Sequence, residues 1–270
     1  MDIRANGLRF HAIDEGTGTP VLLLHGFPDT GRLWRRQIDA LVGAGFRAVA
    51  PDLRGRGQSD KPKGVDQYAL PLIVQDVVGI LDALRIERAH VVGHDWGAAV
   101  AWLVASLQPQ RVNKLVAISV GNPAAAPKPT LQSLQKGWYR ILIQFPGLAE
   151  DLFRRDDWYL LRELLQGGGD ADEYIRNLSE PEALTAGFNW YRANLPVEQL
   201  LASPPPLPPV QSPTLGIYGA RDLYVTEDRM TASARTVTGG WRYERFDDAG
   251  HWVPLEQPER LNRLLLDFLT

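Results

Sequence analysis

The chain has 270 residues, 44% hydrophobic and 23% charged, with 29 basic against 32 acidic side chains. That size fits one large domain, or a core carrying an insertion. A formal net charge of −3 leaves no basic footprint for nucleic acid or an anionic membrane surface, and the lack of any cysteine excludes disulfides, thiol nucleophiles, iron–sulfur clusters and Cys-ligated zinc.

Along the chain, strand-like and helix-like segments alternate, which predicts a mostly parallel sheet covered by helices. Residues 21–24 form a short apolar run, as in a buried central strand. Trp34, Ile38, Leu41 and Val42 then repeat at helical spacing, up to Gly43 and Gly45. A strand is expected over 46–50, an amphipathic helix over 72–84, a strand over 89–92, a helix over 98–107 and a strand over 114–120. From 123 to 207 the pattern is helical with no convincing strand. Prolines flank that stretch: Pro123, Pro127 and Pro129 before it, then Pro204, Pro205, Pro206, Pro208 and Pro209. Alternation resumes with a strand over 214–218, a helix over 230–236, a strand over 241–246 and a last helix from Pro258. The expected division is an α/β core of residues 1–122 and 208–270 interrupted by a helical cap of residues 123–207. The apolar run 98–104 is too short to span a bilayer, and residues 1–16 lack the charged head and apolar run of a secretory signal. A cytoplasmic protein, monomer or homodimer, with no membrane or nucleic-acid partner, is the expectation.

The informative segment is Gly93-His94-Asp95-Trp96-Gly97, a G-x-D-x-G pattern between strand and helix. With serine at its centre this is the nucleophile elbow, where small neighbours permit a strained turn that projects the central side chain. A carboxylate there attacks an sp³ carbon and forms a covalent ester. The plainer reading is an aspartate capping the next helix. Of five histidines, His251 in Gly250-His251-Trp252 follows the last strand. Asp95, Asp222 and His251 thus run in the order nucleophile, acid, histidine. Asp247, Asp248 and Asn122 compete for the acid's role, and Asn122 lacks the charge. No metal-ligand spacing occurs, so neither metal nor cofactor is expected.

With His25-Gly26-Phe27-Pro28, the 93–97 elbow, Gly219-Ala220-Arg221-Asp222 and Gly250-His251-Trp252 in this order, the chain resembles α/β-hydrolases of the epoxide hydrolase and haloalkane dehalogenase group, the epoxide hydrolase branch most closely. The resemblance implies an α/β-hydrolase fold with an inserted helical cap. It also implies a cis Phe27–Pro28 bond, backbone N–H groups of Phe27 and Trp96 facing Asp95 as an oxyanion hole, and His251 as general base oriented by Asp222. Epoxide hydrolases donate protons from two cap tyrosines, whereas dehalogenases use nitrogen donors. Here Trp138-Tyr139-Arg140 and Asn189-Trp190-Tyr191-Arg192 resemble the two tyrosine segments; each tyrosine is alternatively a packing aromatic. The cap aromatics Trp138, Phe145, Phe153, Trp158, Tyr159 and Phe188 suggest an apolar or aromatic epoxide, converted with water to a vicinal diol. A haloalkane or haloacid dehalogenase with the same triad and a catalytically silent ligand-binding protein remain as alternatives.

Overall fold

A computed structural model describes residues 1–199, 201–203 and 206–270. An eight-stranded sheet in the order β1-β2-β4-β3-β5-β6-β7-β8 forms its centre. The strands are β1 (Asp2–Ala5), β2 (Leu8–Glu15), β3 (Pro20–Leu24), β4 (Arg47–Pro51), β5 (Ala89–His94), β6 (Val112–Ile118), β7 (Thr214–Gly219) and β8 (Trp241–Phe246). From β4 across to β8 every pairing is parallel, while β1 and β2 add an antiparallel edge. β5 and β7 are buried along their whole length, which is why they read as apolar runs rather than alternating ones.

The core helices are α1 (Arg35–Gly43), α2 (Leu70–Ala83), α3 (Trp96–Leu107), α9 (Glu227–Thr231), α10 (Val253–Glu256) and α11 (Pro258–Leu269). α1 packs against α11, and α2 against α3. The helix expected over 230–236 is the short α9 followed by a 3-10 turn over Ala232–Thr236. The hairpin β1–β2 was not among the expected strands, although Asn6-Gly7 is a strong hairpin signal. Both residues have positive φ, 50° and 78°, as a tight right-twisted hairpin requires.

Between β6 and β7 lie α4 (Leu131–Lys136), α5 (Tyr139–Ile143), α6 (Leu148–Leu165), α7 (Ala171–Ser179) and α8 (Ala183–Asn194). α6 is broken at Arg155–Trp158, where Asp156, Asp157 and Trp158 take positive φ. Pro204 and Pro205, of the expected proline run, lie outside the described residues. No helix of the described residues is long and apolar enough to cross a membrane.

Candidate active site

Asp95 sits between the end of β5 and the start of α3 with φ 53° and ψ −121°, a conformation costing about 1–3 kcal/mol for a residue with a side chain. The glycines around it are spatial necessities. A Cβ on Gly93 would lie 2.3 Å from the Gly97 carbonyl oxygen, and one on Gly97 would lie 2.0 Å from that of Leu24. The turn therefore lifts the carboxylate above the carboxyl ends of the central strands, where open α/β sheets place their sites.

β3 pairs with β5, Leu24 opposite Gly93, so the loop after β3 passes beside Asp95. The Phe27 amide donates to Asp95 Oδ1 at 2.9 Å, and the Phe27–Pro28 bond is cis. The Trp96 amide makes no hydrogen bond to the carboxylate among the described residues. His25 is structural: its Nδ1 donates to the Gly26 carbonyl at 2.8 Å and its Nε2 accepts from the Leu53 amide at 3.0 Å.

From the other side comes His251, in the loop after β8. Its Nδ1 donates to Asp222 Oδ2 at 2.7 Å, and its Nε2 lies 3.5 Å from Asp95 Oδ2. Asp222, in the loop after β7, is fixed through its other oxygen by the amides of Tyr224 at 2.7 Å and Val225 at 3.0 Å. Asn122 is elsewhere engaged, with Ala124 and Thr236. His94 does not line the cavity yet lies close to His251. Its ring centroid is 4.8 Å from that of His251, and its Nε2 donates to the His251 carbonyl at 2.9 Å.

Burial alone would push Asp95 up and His251 down. Their mutual contact outweighs burial on both sides. The hydrogen bond and charge of His251, with the Phe27 amide, hold Asp95 below the usual carboxylate range. Asp222 and Asp95 together push His251 up to about 10. In the resting site Asp95 is ionised and His251 carries a proton.

Tyr139 on α5 and Tyr191 on α8 meet edge to face, ring centroids 5.8 Å apart. Both are buried, which pushes Tyr139 up to about 12 and Tyr191 well above its ordinary value. Each is a protonated donor at neutral pH. With Asp95, His251, Phe27, Pro28, Tyr224, Trp252 and Leu161, Leu164 and Leu165 of α6 they line a cavity of about 20 Å³, room for one water. None of the six cap aromatics that suggested an apolar or aromatic substrate lines this cavity: Trp138, Phe145 and Tyr159 are exposed, and Phe153, Trp158 and Phe188 pack in the core. Aliphatic side chains of α6 take their place.

Sequence reasoning also missed three polar supports. Tyr224 packs its ring 4.9 Å from that of His251 and donates its hydroxyl to the Leu164 carbonyl at 2.6 Å. Lys136 of α4 donates to the carbonyls of Asp222 and Val225. Asp29 accepts from Tyr174 of α7 at 2.6 Å and from the indole of Trp252 at 3.1 Å, and burial pushes its carboxyl up to about 7. Asp29 follows directly on Phe27-Pro28, so proximity to that loop was the available signal.

A nucleophile-elbow aspartate, an acid after β7 and a histidine after β8 are features of a known hydrolase architecture. Residues 19–258 match the model of the α/β-hydrolase fold family, and the chain belongs to that family. Among its relatives, AB hydrolase superfamily protein YfhM of Bacillus subtilis is 35% identical over 281 residues, covering 99% of this chain and 96% of the relative. Epoxide hydrolase A of Mycobacterium tuberculosis is 33% identical over 313 residues, covering 99% and 96%. The fold is similar to that of a mutant of an epoxide hydrolase from Bacillus megaterium, with TM-score 0.91 and 27% identity over 100% of this chain and 99% of that one. Epoxide Hydrolase A from Mycobacterium thermoresistibile gives TM-score 0.81 and 30% identity over 100% and 97%.

Proposed function

We propose that this hydrolase converts an epoxide and water to a vicinal diol through a covalent ester on Asp95. The observation that carries the reading is the Asp95 carboxylate at the elbow, 3.5 Å from His251 Nε2, in a cavity that Tyr139 and Tyr191 also line. The epoxide hydrolases among its relatives support the same reaction.

Asp95 attacks one ring carbon. The carbon–oxygen bond breaks, and its electron pair goes to the ring oxygen, which takes a proton from Tyr191 or Tyr139. His251, held by Asp222, then activates a water that attacks the ester carbonyl carbon. The Phe27 amide, already on Asp95 Oδ1, and the Trp96 amide stabilise the oxyanion that forms there. Collapse releases the diol and regenerates Asp95, with no cofactor. Segment 123–207 acts as the cap. The cavity's leucines and aromatic rings suit a substrate with apolar substituents. The dehalogenase alternative needs a nitrogen donor to halide, and the Trp190 indole is already committed to the Arg54 carbonyl at 3.0 Å.

The test is a trapped intermediate. His251→Gln should open styrene oxide and stall, showing an intact mass increased by the whole epoxide, mapped to the peptide holding Asp95 and absent from the Asp95→Asn/His251→Gln double variant. An unmodified His251→Gln protein that still forms diol refutes the covalent route. Halide release without diol formation from any epoxide favours the dehalogenase, and neither product favours a silent binder.

A further inference from the structure

The cavity at Asp95, about 20 Å³, has room for one water and not for an epoxide with a substituent. Of the residues that line it, all are buried except Leu164, near the end of α6, which is half-buried. A substituent that left by another wall would displace buried side chains such as Phe27, Tyr191 or Trp252, which close packing resists. Leu164 is the weak place in the enclosure.

A second, larger pocket of about 270 Å³ meets the first at that place. Gln135 of α4, Trp138 before α5, Gln166 at the end of α6 and Leu223 in the loop after β7 line it, and all four are exposed. Leu164 and Tyr224 line both pockets, and no other residue does. Tyr224 donates its hydroxyl to the Leu164 carbonyl at 2.6 Å, while its ring packs 4.9 Å from that of His251. The hydrogen bond pins the backbone of Leu164 and leaves its side chain as the part that can change rotamer. Lys136, also on the outer wall, directs its ammonium to the carbonyls of Asp222 and Val225. What the outer pocket offers a ligand is therefore the apolar surface of Trp138, Leu164, Leu223 and Tyr224, rimmed by two neutral amides.

We propose that the outer pocket is the subsite for a long apolar substituent of the epoxide, joined to the catalytic cavity when the Leu164 side chain turns aside. The inference rests on the reading of Asp95 as the nucleophile that opens an epoxide. With the ring between Asp95 and the two tyrosines, a methyl substituent stays in the inner cavity, whereas a linear alkyl chain passes between Leu164 and Tyr224 and is buried outside them. Leu164 and Tyr224 then decide which chain lengths are accepted.

The chain has no cysteine, so Gln135→Cys places a single thiol on the outer pocket. The same protein is assayed before and after that thiol is blocked with benzyl methanethiosulfonate. The readout is kcat/KM for octene oxide divided by that for propylene oxide, a ratio that cancels any loss common to both substrates. Each methylene buried in the pocket is worth up to about fourfold, so the unblocked protein should favour octene oxide, and blocking should cut the ratio at least about tenfold. Dithiothreitol, which removes the label, should restore it. The diol of octene oxide should also slow the labelling, a measure of occupancy that needs no turnover. Leu223→Cys repeats both measurements from the loop after β7 should Gln135→Cys not fold. A ratio unmoved by blocking, or labelling unslowed by the diol, overturns the proposal while epoxide turnover stands. Diol from neither epoxide overturns the reading of the reaction, and the proposal with it.

Discussion

In the proposed reaction, alkylation of Asp95 would remove the charge that holds the proton on His251, and so would couple the two steps electrostatically. Asp95→Asn mimics the neutral ester in charge. With Asp95 Oδ2 3.5 Å from His251 Nε2, Coulomb attraction at an effective dielectric of about 20 amounts to about 4–5 kcal/mol, equivalent to about three pH units. Asp222 remains on Nδ1 in the variant, so the imidazole should fall from about 10 to about 7. It would then be a competent base at neutral pH, which it is not in the resting site. Its released proton returns to the oxygen side of the opened ring, restoring the tyrosine.

Long-range proton–nitrogen spectra of ¹⁵N-histidine protein, recorded from about pH 5 to pH 11 across the range set by the shifted value, measure this directly. Burial pushes His25 down to about 3 and His90 and His94 down to about 4, so these rings stay neutral over that range. The His251 signal is identified by its absence in His251→Gln. Equal His251 titration in the wild type and Asp95→Asn would refute the coupling.

Other outcomes follow from the same geometry. Tyr191→Phe should slow ring opening at least about tenfold, since general-acid help is worth about 10²–10⁴-fold and Tyr139 partly substitutes; the double Phe variant should be nearly inactive, and wild-type turnover by it would make both tyrosines packing residues. His251 has a folded-state value raised above its unfolded value of about 6.5, so its stabilisation is complete below that pH and lost as pH rises toward about 10. The melting temperature should therefore fall over that window, and fall less steeply in His251→Gln. A methyl on Gly26 would lie 2.3 Å from Asp95 Oδ1; Gly26→Ala should keep the far-ultraviolet circular dichroism of the wild type while losing about 10²-fold in turnover, the scale of an ångström's misplacement.

Much of the core was legible because its signals are local. Each of the strands β3 to β8 was expected within about two residues of its ends; β3 to β7 are largely buried and read as apolar stretches, whereas β8, at the sheet edge, buries only Phe246. The elbow was legible for the same reason: Gly93 and Gly97 flank Asp95 within one turn. The hairpin β1–β2 is a different case. Its Asn6-Gly7 turn was present in the sequence, but β2 alternates only weakly, with Phe10 and Ala12 buried and its other residues half-buried. Chain order pointed to Asp222 and His251, yet it says nothing of Tyr224, two residues beyond Asp222, or of Lys136, which holds the Asp222 loop from a segment far away in sequence.

The cavity wall was not legible for a physical reason. Apolar periodicity tells which face of a helix is buried only while the helix is continuous, and α6 is interrupted at Arg155–Trp158 by residues with positive φ. A phase counted from Phe153 would therefore not carry through to Leu161, Leu164 and Leu165, the residues that reach the cavity. Aromatic composition was no better guide, because a large ring is as useful for closing a helix pair as for meeting a ligand; Phe153 and Phe188 pack on each other at 5.0 Å. Gly187 shows the converse. As a glycine in a helix it looks like a local weakness, and its reason lies 131 residues away in the guanidinium of Arg56. Local chemistry presents Asp95 at its elbow, whereas what surrounds its carboxylate is decided by packing between distant segments. Residues of that second kind are best sought where a helix carries a glycine.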